Sequence, residues 1–360
     1  MHIYAVMNEI LWKGTIMVNS AITARGLRKA YGDKTVLDGI DITVAEGTVF
    51  SLLGPNGAGK TTTVQILTTL IAGDAGECTV GGHDVVTDRG GVRELIGVTG
   101  QFAAVDELLT GRENLHMMGD LNHLPRRETR ALAEELLQRF DLVEAADKPA
   151  STYSGGMTRR LDLAMTLVGN PRVIFLDEPT TGLDPRSRRS IWEIIRGLVD
   201  DLGVTVFLTT QYLEEADQLA DRIAVLDNGR IVAEGTAAEL KRLIPGGHIR
   251  IDFADQPDVV AAQRAFGSTA KVVEGTDGLT LAVPSDGGVR SLRSVLDLLD
   301  AENIEAGGIS VHTPNLDDVF LTLTGMSGQR PEAEAERDHA GRPSMPNVNS
   351  RATIEQESLR

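Results

Sequence analysis

The chain has 360 residues, 41% of them hydrophobic, and 35 Lys and Arg against 52 Asp and Glu leave a net charge of −17. That apolar share supports a sizeable core in about two domains and excludes wholesale disorder, and the acidic balance disfavours a dedicated nucleic-acid coat, which needs a net basic face. The single cysteine, Cys78, excludes an internal disulfide and a thiolate metal site and fits a reducing cytoplasm, and no apolar run is long enough to span a bilayer.

Residues 1–16 are mildly apolar, interrupted by Asn8, Glu9 and Lys13, and lack the basic leader and small-residue cleavage site of a signal peptide. Met17 directly precedes VNSAITARGL, where strand-like patterning begins. Residues 1–19 therefore read as an extension: either Met17 is the natural start or residues 1–16 form a loose arm. Short strands and turns follow up to Leu53, with the alternation of Ile40, Ile42 and Val44 predicting a half-buried strand. TVFSLL runs straight into GPNGAGKTT, and TTTVQILTTLI continues with Val64, Leu67, Leu70 and Ile71 at helical spacing. That order predicts strand, glycine loop and helix. Residues 103–165 read as a mostly helical insertion, with Leu132, Leu136 and Phe140 on one face. RVIFLDE and GVTVFLTT are continuous apolar runs, as expected of parallel strands buried on both faces. RIAVLDNGRIVAEG predicts a hairpin turning at Asn228-Gly229.

A PGG at residues 245–247 marks a boundary. Beyond it HIRIDF, TLAV and GISVH read as strands and SLRSVLDLLDA as an amphipathic helix, a small α+β domain over residues 246–326 that ends near LDDVFLTLTG. Residues 327–360 are charged, small and Pro-bearing, so they predict a disordered tail.

Gly54-Pro55-Asn56-Gly57-Ala58-Gly59-Lys60-Thr61 matches G-x-x-x-x-G-K-[ST], with Thr62 next in the same nucleotide-binding set. The glycines let successive N–H groups turn inward and form an anion cradle at a helix N-terminus. Lys60 supplies a point charge for the β- and γ-phosphates, and the Thr61 hydroxyl is a Mg²⁺ ligand. Asp177 and Glu178 close the RVIFLDE strand, where adjacent side chains diverge. Asp177 is assigned to the metal and Glu178 to polarising or deprotonating the attacking water.

Tyr153-Ser154-Gly155-Gly156-Met157 narrows this further. A Ser-Gly-Gly at a helix start presents a hydroxyl and two amides to an anion, yet the glycine loop already cradles this chain's phosphates. Here the sequence resembles the ATP-binding cassette (ABC) ATPases, whose signature is usually Leu-Ser-Gly-Gly-Gln; Tyr153 and Met157 depart from it only at the flanks. The resemblance implies an α/β P-loop core with a mainly parallel sheet, an antiparallel β-subdomain and a helical subdomain, together filling residues 20–245. It implies two cassettes packed head-to-tail, a homodimer in which Ser154, Gly155 and Gly156 act on the γ-phosphate held by the other copy. Tyr31 takes the place of the adenine-stacking aromatic, Gln101 that of the glutamine reaching Mg²⁺ and water and facing the membrane partner. Asp184, in TTGLDP, takes the place of a contact to the opposite cassette. Where the family carries a switch histidine, LTTQYLEEAD places Gln211, which donates an amide N–H but takes up no proton. Glu178 is thus expected to carry hydrolysis, with Lys60 on the phosphates and Gln211 a sensor or orienting donor.

Together with VTGQFAAVDELLTGRENL, TYSGGMTRRLDLA and the terminal LDDVFLTLTG, the TTQ wording is similar to the daunorubicin/doxorubicin-resistance branch of ABC exporter ATPases over residues 20–326. That implies Mg²⁺-dependent ATP hydrolysis powering efflux of a drug or other hydrophobic compound through a separate integral membrane permease. The subunit is then expected to be cytoplasmic, peripheral on the inner face of the cell membrane, and without a nucleic-acid partner. A soluble ABC protein of translation or DNA maintenance is opposed by the single uninterrupted cassette, and a module without turnover by Glu178. The domain after residue 246 supports homodimerisation or grips the partner. Arg159, Arg160, Arg186, Arg188 and Arg189 read as solvated helix positions, Cys78 as a small core residue, and the seven histidines lack metal-ligand spacing.

Overall fold

The structure, a computed structural model, describes residues 19–101, 103–243, 247–267, 270–272, 279–285, 288–312 and 315–323. The expected extension up to residue 18, the expected tail over 327–360, and Pro245 and Gly246 of the boundary lie outside the described residues.

β1 (Ser20–Tyr31) and β2 (Lys34–Ala45) pair antiparallel, and alternation drives Ile22 and Ala24 on one strand and Ile40, Ile42 and Val44 on the other into the core. β3 (Val49–Leu53), buried along its length, feeds the glycine loop and α1 (Lys60–Leu67). β4 (Ala75–Val80) and β5 (His83–Asp84) complete an antiparallel sheet of order β2-β1-β4-β5. α2 (Arg89–Leu95) and β6 (Ile96–Thr99) return the chain to the central sheet. A helical lobe follows, α3 (Gly111–Leu121), α4 (Arg126–Arg139) and α5 (Gly155–Thr166). The core then closes with β7 (Val173–Asp177), α6 (Pro185–Leu202), β8 (Thr205–Thr210), α7 (Leu213–Leu219), β9 (Arg222–Asp227), β10 (Arg230–Gly235) and α8 (Ala237–Arg242).

The central sheet has the order β10-β9-β3-β8-β7-β6 and is parallel throughout except for the β9–β10 hairpin. Asn228 and Gly229 both take positive φ, 46° and 75°, as the tight hairpin turn requires. Layers cover both faces, which is why β7 and β8 are buried at every position. One face stacks Phe50 on Phe207 and tilts Phe175 against it, at ring separations of 5.4 and 5.5 Å, beneath the antiparallel sheet and α1. The other packs Ile174, Leu176 and Leu208 on the helical lobe and α6, where Leu136 and Phe140 are buried. Cys78 lies in the first core, where burial pushes its thiol up to about 11.

α1 is shorter than its pattern predicts. It ends at Leu67, because the Thr68 hydroxyl donates back to the Val64 carbonyl and Thr69 turns left-handed at φ 63°, leaving Leu70 exposed.

After the core come β11 (His248–Asp252), α9 (Gln256–Phe266), β12 (Lys271–Val272), β13 (Thr280–Pro284), α10 (Val289–Ala301), β14 (Gly308–His312) and α11 (Leu316–Leu323). Their antiparallel sheet, of order β12-β13-β11-β14, buries Ile249, Ile251 and Leu281 against α9 and α10. The pattern had not marked α9 or β12. α11 leaves this unit: Leu316 and Val319 pack with Leu53, Ala216, Val225 and Leu240 of the first domain.

Candidate nucleotide site

Four adjacent parallel strands, β3, β8, β7 and β6, end along one sheet edge, where ligands bind in open α/β sheets. The glycine loop leaves β3, Gln211 follows β8, Asp177 and Glu178 end β7, and Gln101 follows β6. Parallel topology alone therefore gathers four motifs that lie far apart in the chain.

Two glycines of the loop are dictated by close approach. A Cβ on Gly54 would lie 2.3 Å from the Leu226 carbonyl oxygen. Gly59 adopts φ 113°, and a Cβ there would lie 2.6 Å from Leu37 Cδ2 and 3.0 Å from the Val36 oxygen. As N-cap of α1, Gly59 offers no side-chain acceptor, and the first turn carries no acid. The N–H groups of that turn are thus left for an external anion. Lys60 is buried; its ammonium donates to the carbonyls of Gly54 (2.8 Å) and Pro55 (3.2 Å) and sits 3.2 Å from Glu178 Oε1. A buried cation needs such partners, and all of them belong to the site.

Asp177 and Glu178 do diverge, though for a different reason than strand alternation. β7 ends at Asp177, and Glu178 turns left-handed with φ 50°, a conformation that costs a non-glycine residue about 1–3 kcal/mol. Thr209 holds the pair: its hydroxyl donates to Asp177 Oδ1 and accepts from the Glu178 N–H at 3.1 Å, while its carbonyl accepts from the same N–H. Asp177 is buried, with Oδ1 accepting from the Thr209 hydroxyl. Sequence reasoning missed Thr209; its only signal was its place in LTTQ, two residues before Gln211. The loop is also stitched to this strand by the Gly54 N–H on the Thr210 carbonyl at 3.1 Å.

Ser154 and Asp184 sit at helix starts. Ser154 N-caps α5, accepting from the Met157 N–H at 3.3 Å, and among the described residues no hydrogen bond joins Ser154, Gly155 or Gly156 to the glycine loop. Asp184 N-caps α6, accepting from the N–H groups of Arg186 and Ser187 and the Ser187 hydroxyl, which holds its carboxyl below the usual range. Gln101 is exposed and Gln211 half-buried. Tyr31 is 52% exposed at the end of β1, with the Lys29 ammonium 5.4 Å from its ring centroid.

The arginines require a correction. Arg159, expected in solvent, is buried and ion-paired with Asp162 at 3.0 Å, and the Arg188 guanidinium lies 4.8 Å over the Tyr212 ring. Helical periodicity could not reveal this, because the face of α5 bearing Arg159 meets irregular backbone rather than water.

The family model described as "ABC transporter" matches residues 37–181. A daunorubicin resistance ATP-binding protein, DrrA3, of Streptomyces coeruleorubidus is 52% identical, the alignment covering 86% of this chain and 97% of the relative. This chain belongs to the ABC transporter ATPases. A daunorubicin/doxorubicin resistance ATP-binding protein, DrrA, of Streptomyces peucetius is 47% identical over 85% of this chain and 92% of its own. Among solved structures, a dimeric post-hydrolysis ATP-binding cassette, MJ0796, bound to ADP and Pi matches with a TM-score of 0.55 and 26% identity, covering 60% of this chain and 98% of that one. As an ABC ATPase the chain binds nucleotide and hydrolyses ATP, and ABC cassettes dimerise and work with membrane subunits. No helix among the described residues is long and apolar enough to cross a membrane.

Proposed function

We propose that this subunit powers export of a daunorubicin-like drug or another hydrophobic compound through a separate membrane permease, from the inner face of the cell membrane. ATP clamps two copies together, and hydrolysis releases them. The uncapped first turn of α1, facing a buried Lys60 and the Asp177–Glu178 pair, carries this reading. Thr61, Asp177 and Gln101 would hold Mg²⁺, which when bound neutralises charge on the phosphates. Lys60 exchanges its loop carbonyls and Glu178 for the β- and γ-phosphates. Glu178, freed from the ammonium, accepts a proton from the attacking water, while Thr209 keeps its backbone in place. Gln211 donates to the γ-phosphate, Tyr31 stacks on adenine, and the other copy's signature closes the pocket. Asp184, at the start of α6, lies toward that copy. Catalysis is positioning and electrostatics, with no covalent intermediate.

A mixture of two inactive full-length variants tests the shared site. Ser154→Asp keeps an oxygen at the N-cap but opposes the phosphate, and Glu178→Gln lacks the base. If the signature acts across the dimer, mixing them restores one intact site per mixed dimer and turnover returns. A mixture as inactive as its parts refutes the arrangement.

The loop after Gln101 is the contact for the permease. Leu108 is 90% exposed, on a turn made by its N–H donating to Asp106 Oδ1, with Glu107 exposed beside it. Leu108→Asp combined with Asp106→Lys and Glu107→Lys is expected to abolish co-purification with the membrane subunit and drug efflux while basal ATPase activity persists. Unchanged assembly and efflux would argue against this surface.

A further inference from the structure

The helix that begins with the signature carries, one turn on, a buried ion pair that no nucleotide contact explains. Arg159 and Asp162 are 7% and 2% exposed. Arg159 Nε donates to the Pro179 carbonyl at 2.8 Å, and Nη1 donates to the Gly100 carbonyl at 2.9 Å and to Asp162 Oδ2 at 3.0 Å. Asp162 Oδ1 in turn accepts from the Ala104 N–H at 2.9 Å. Gly100 and Ala104 flank Gln101, and Pro179 follows Glu178. One ion pair therefore joins α5 to both sides of the Gln101 loop and to the turn after the catalytic base.

The packing around the start of α5 and the chemistry of the pair add to this link. A Cβ on Gly156 would lie 2.7 Å from Ser187 Oγ and 3.0 Å from Ser187 Cβ, so the first turn of α5 sits close against the start of α6. Leu183 lies in ordinary contact range of Gly155, with 3.6 Å between Leu183 Cδ2 and a Cβ there. The pair itself opposes its own burial, which pushes the Asp162 carboxyl up and the Arg159 guanidinium down. Apolar residues would fill such a place at no loss of stability. What they could not do is donate to two carbonyls of irregular backbone held at fixed separation, for which the planar fork of arginine is suited.

We propose that Arg159, oriented by Asp162, is a positioning residue that ties Gln101 and Glu178 of one copy to the signature helix contacting the nucleotide of the other. It rests on the shared-site reading above. Occupancy of either site then sets the alignment of the water-handling residues in both, and turnover depends cooperatively on ATP.

The test uses the full-length chain and Mg-ATP. Arg159→Met/Asp162→Asn removes both charges, so no buried ion is orphaned, and the asparagine keeps an acceptor for the Ala104 N–H. Its kcat is expected to fall about 10- to 100-fold, the effect of small misplacement of reacting groups, with KM within about twofold and the Hill coefficient for ATP falling toward one. Arg159→Lys, which keeps the charge but not the fork, is expected to restore part of kcat. A double variant with wild-type kcat and cooperativity overturns the proposal, as does a loss of kcat matched by equal losses of ATP affinity and thermal stability. Absence of cooperativity in the wild type overturns it too. Failure of the shared-site reading would show separately, in the Ser154→Asp and Glu178→Gln mixture with Arg159 intact.

Discussion

Replacing Glu178 with glutamine is expected to lower ATP turnover by about 10²- to 10⁴-fold, the contribution of a positioned general base, while ATP still binds. The backbone of residue 178 is fixed by its N–H on Thr209, independently of the side chain, so the substitution changes chemistry without moving the site. It also removes the carboxylate beside Lys60, which leaves the ammonium more available to phosphate. Gln211→Ala removes one hydrogen-bond donor, a change of about 0.5–1.5 kcal/mol or about 2- to 12-fold in rate. Single-turnover rates beside equilibrium binding of ATP separate the two variants. Equal residual rates would refute the assignment of the base to Glu178.

The second large effect is steric. Gly59→Ala places a methyl group 2.6 Å from Leu37 Cδ2 and 3.0 Å from the Val36 carbonyl oxygen, at a φ of 113° that L-residues rarely adopt. The backbone conformation costs about 1–3 kcal/mol and the overpacking about as much again. Because Leu37 and Val36 belong to β2, the loop cannot yield without moving the antiparallel sheet. We expect the total of about 2–6 kcal/mol to be divided between a lower Tm and ATP affinity weakened by at least about tenfold. Calorimetry and nucleotide titration of one preparation measure both. A variant with wild-type Tm and affinity would show that the tight fit at Gly59 is not required.

The chemistry of the site was legible where a motif is contiguous. The run from Gly54 to Thr61 carries its own local reason, since glycines, a lysine and a threonine in that order make an anion cradle at a helix start. Asp177 and Glu178 were legible only beside the glycine loop: alone, acids at a strand end read as a solvated turn, but phosphates call for a metal-binding acid at the same sheet edge. Thr209 was not, because a threonine in a buried strand reads the same whether its hydroxyl is idle or bonded across to the neighbouring strand. Arg159 was misread for a related reason: its partners at residues 100, 162 and 179 are mostly remote in sequence. Asp184 and Ser154 proved to be helix caps within one chain, the plainest role for those residue types.

The linear order of residues was sufficient for the strand–loop–helix at residues 49–67, the buried strands of a two-sided sheet, the Asn228-Gly229 turn and the Ser154-Gly155-Gly156 motif at a helix start. Each of these depends on neighbours within a few positions, where backbone preference and side-chain period dominate. Only the folded molecule decided that Thr209 holds both carboxylate residues, that Lys60 rests against Glu178, that α11 packs back onto the first domain and that Arg159 is interior. Those facts depend on which remote backbone groups are brought within hydrogen-bonding range and cut off from water, and that is a property of sheet order and packing that no local pattern encodes.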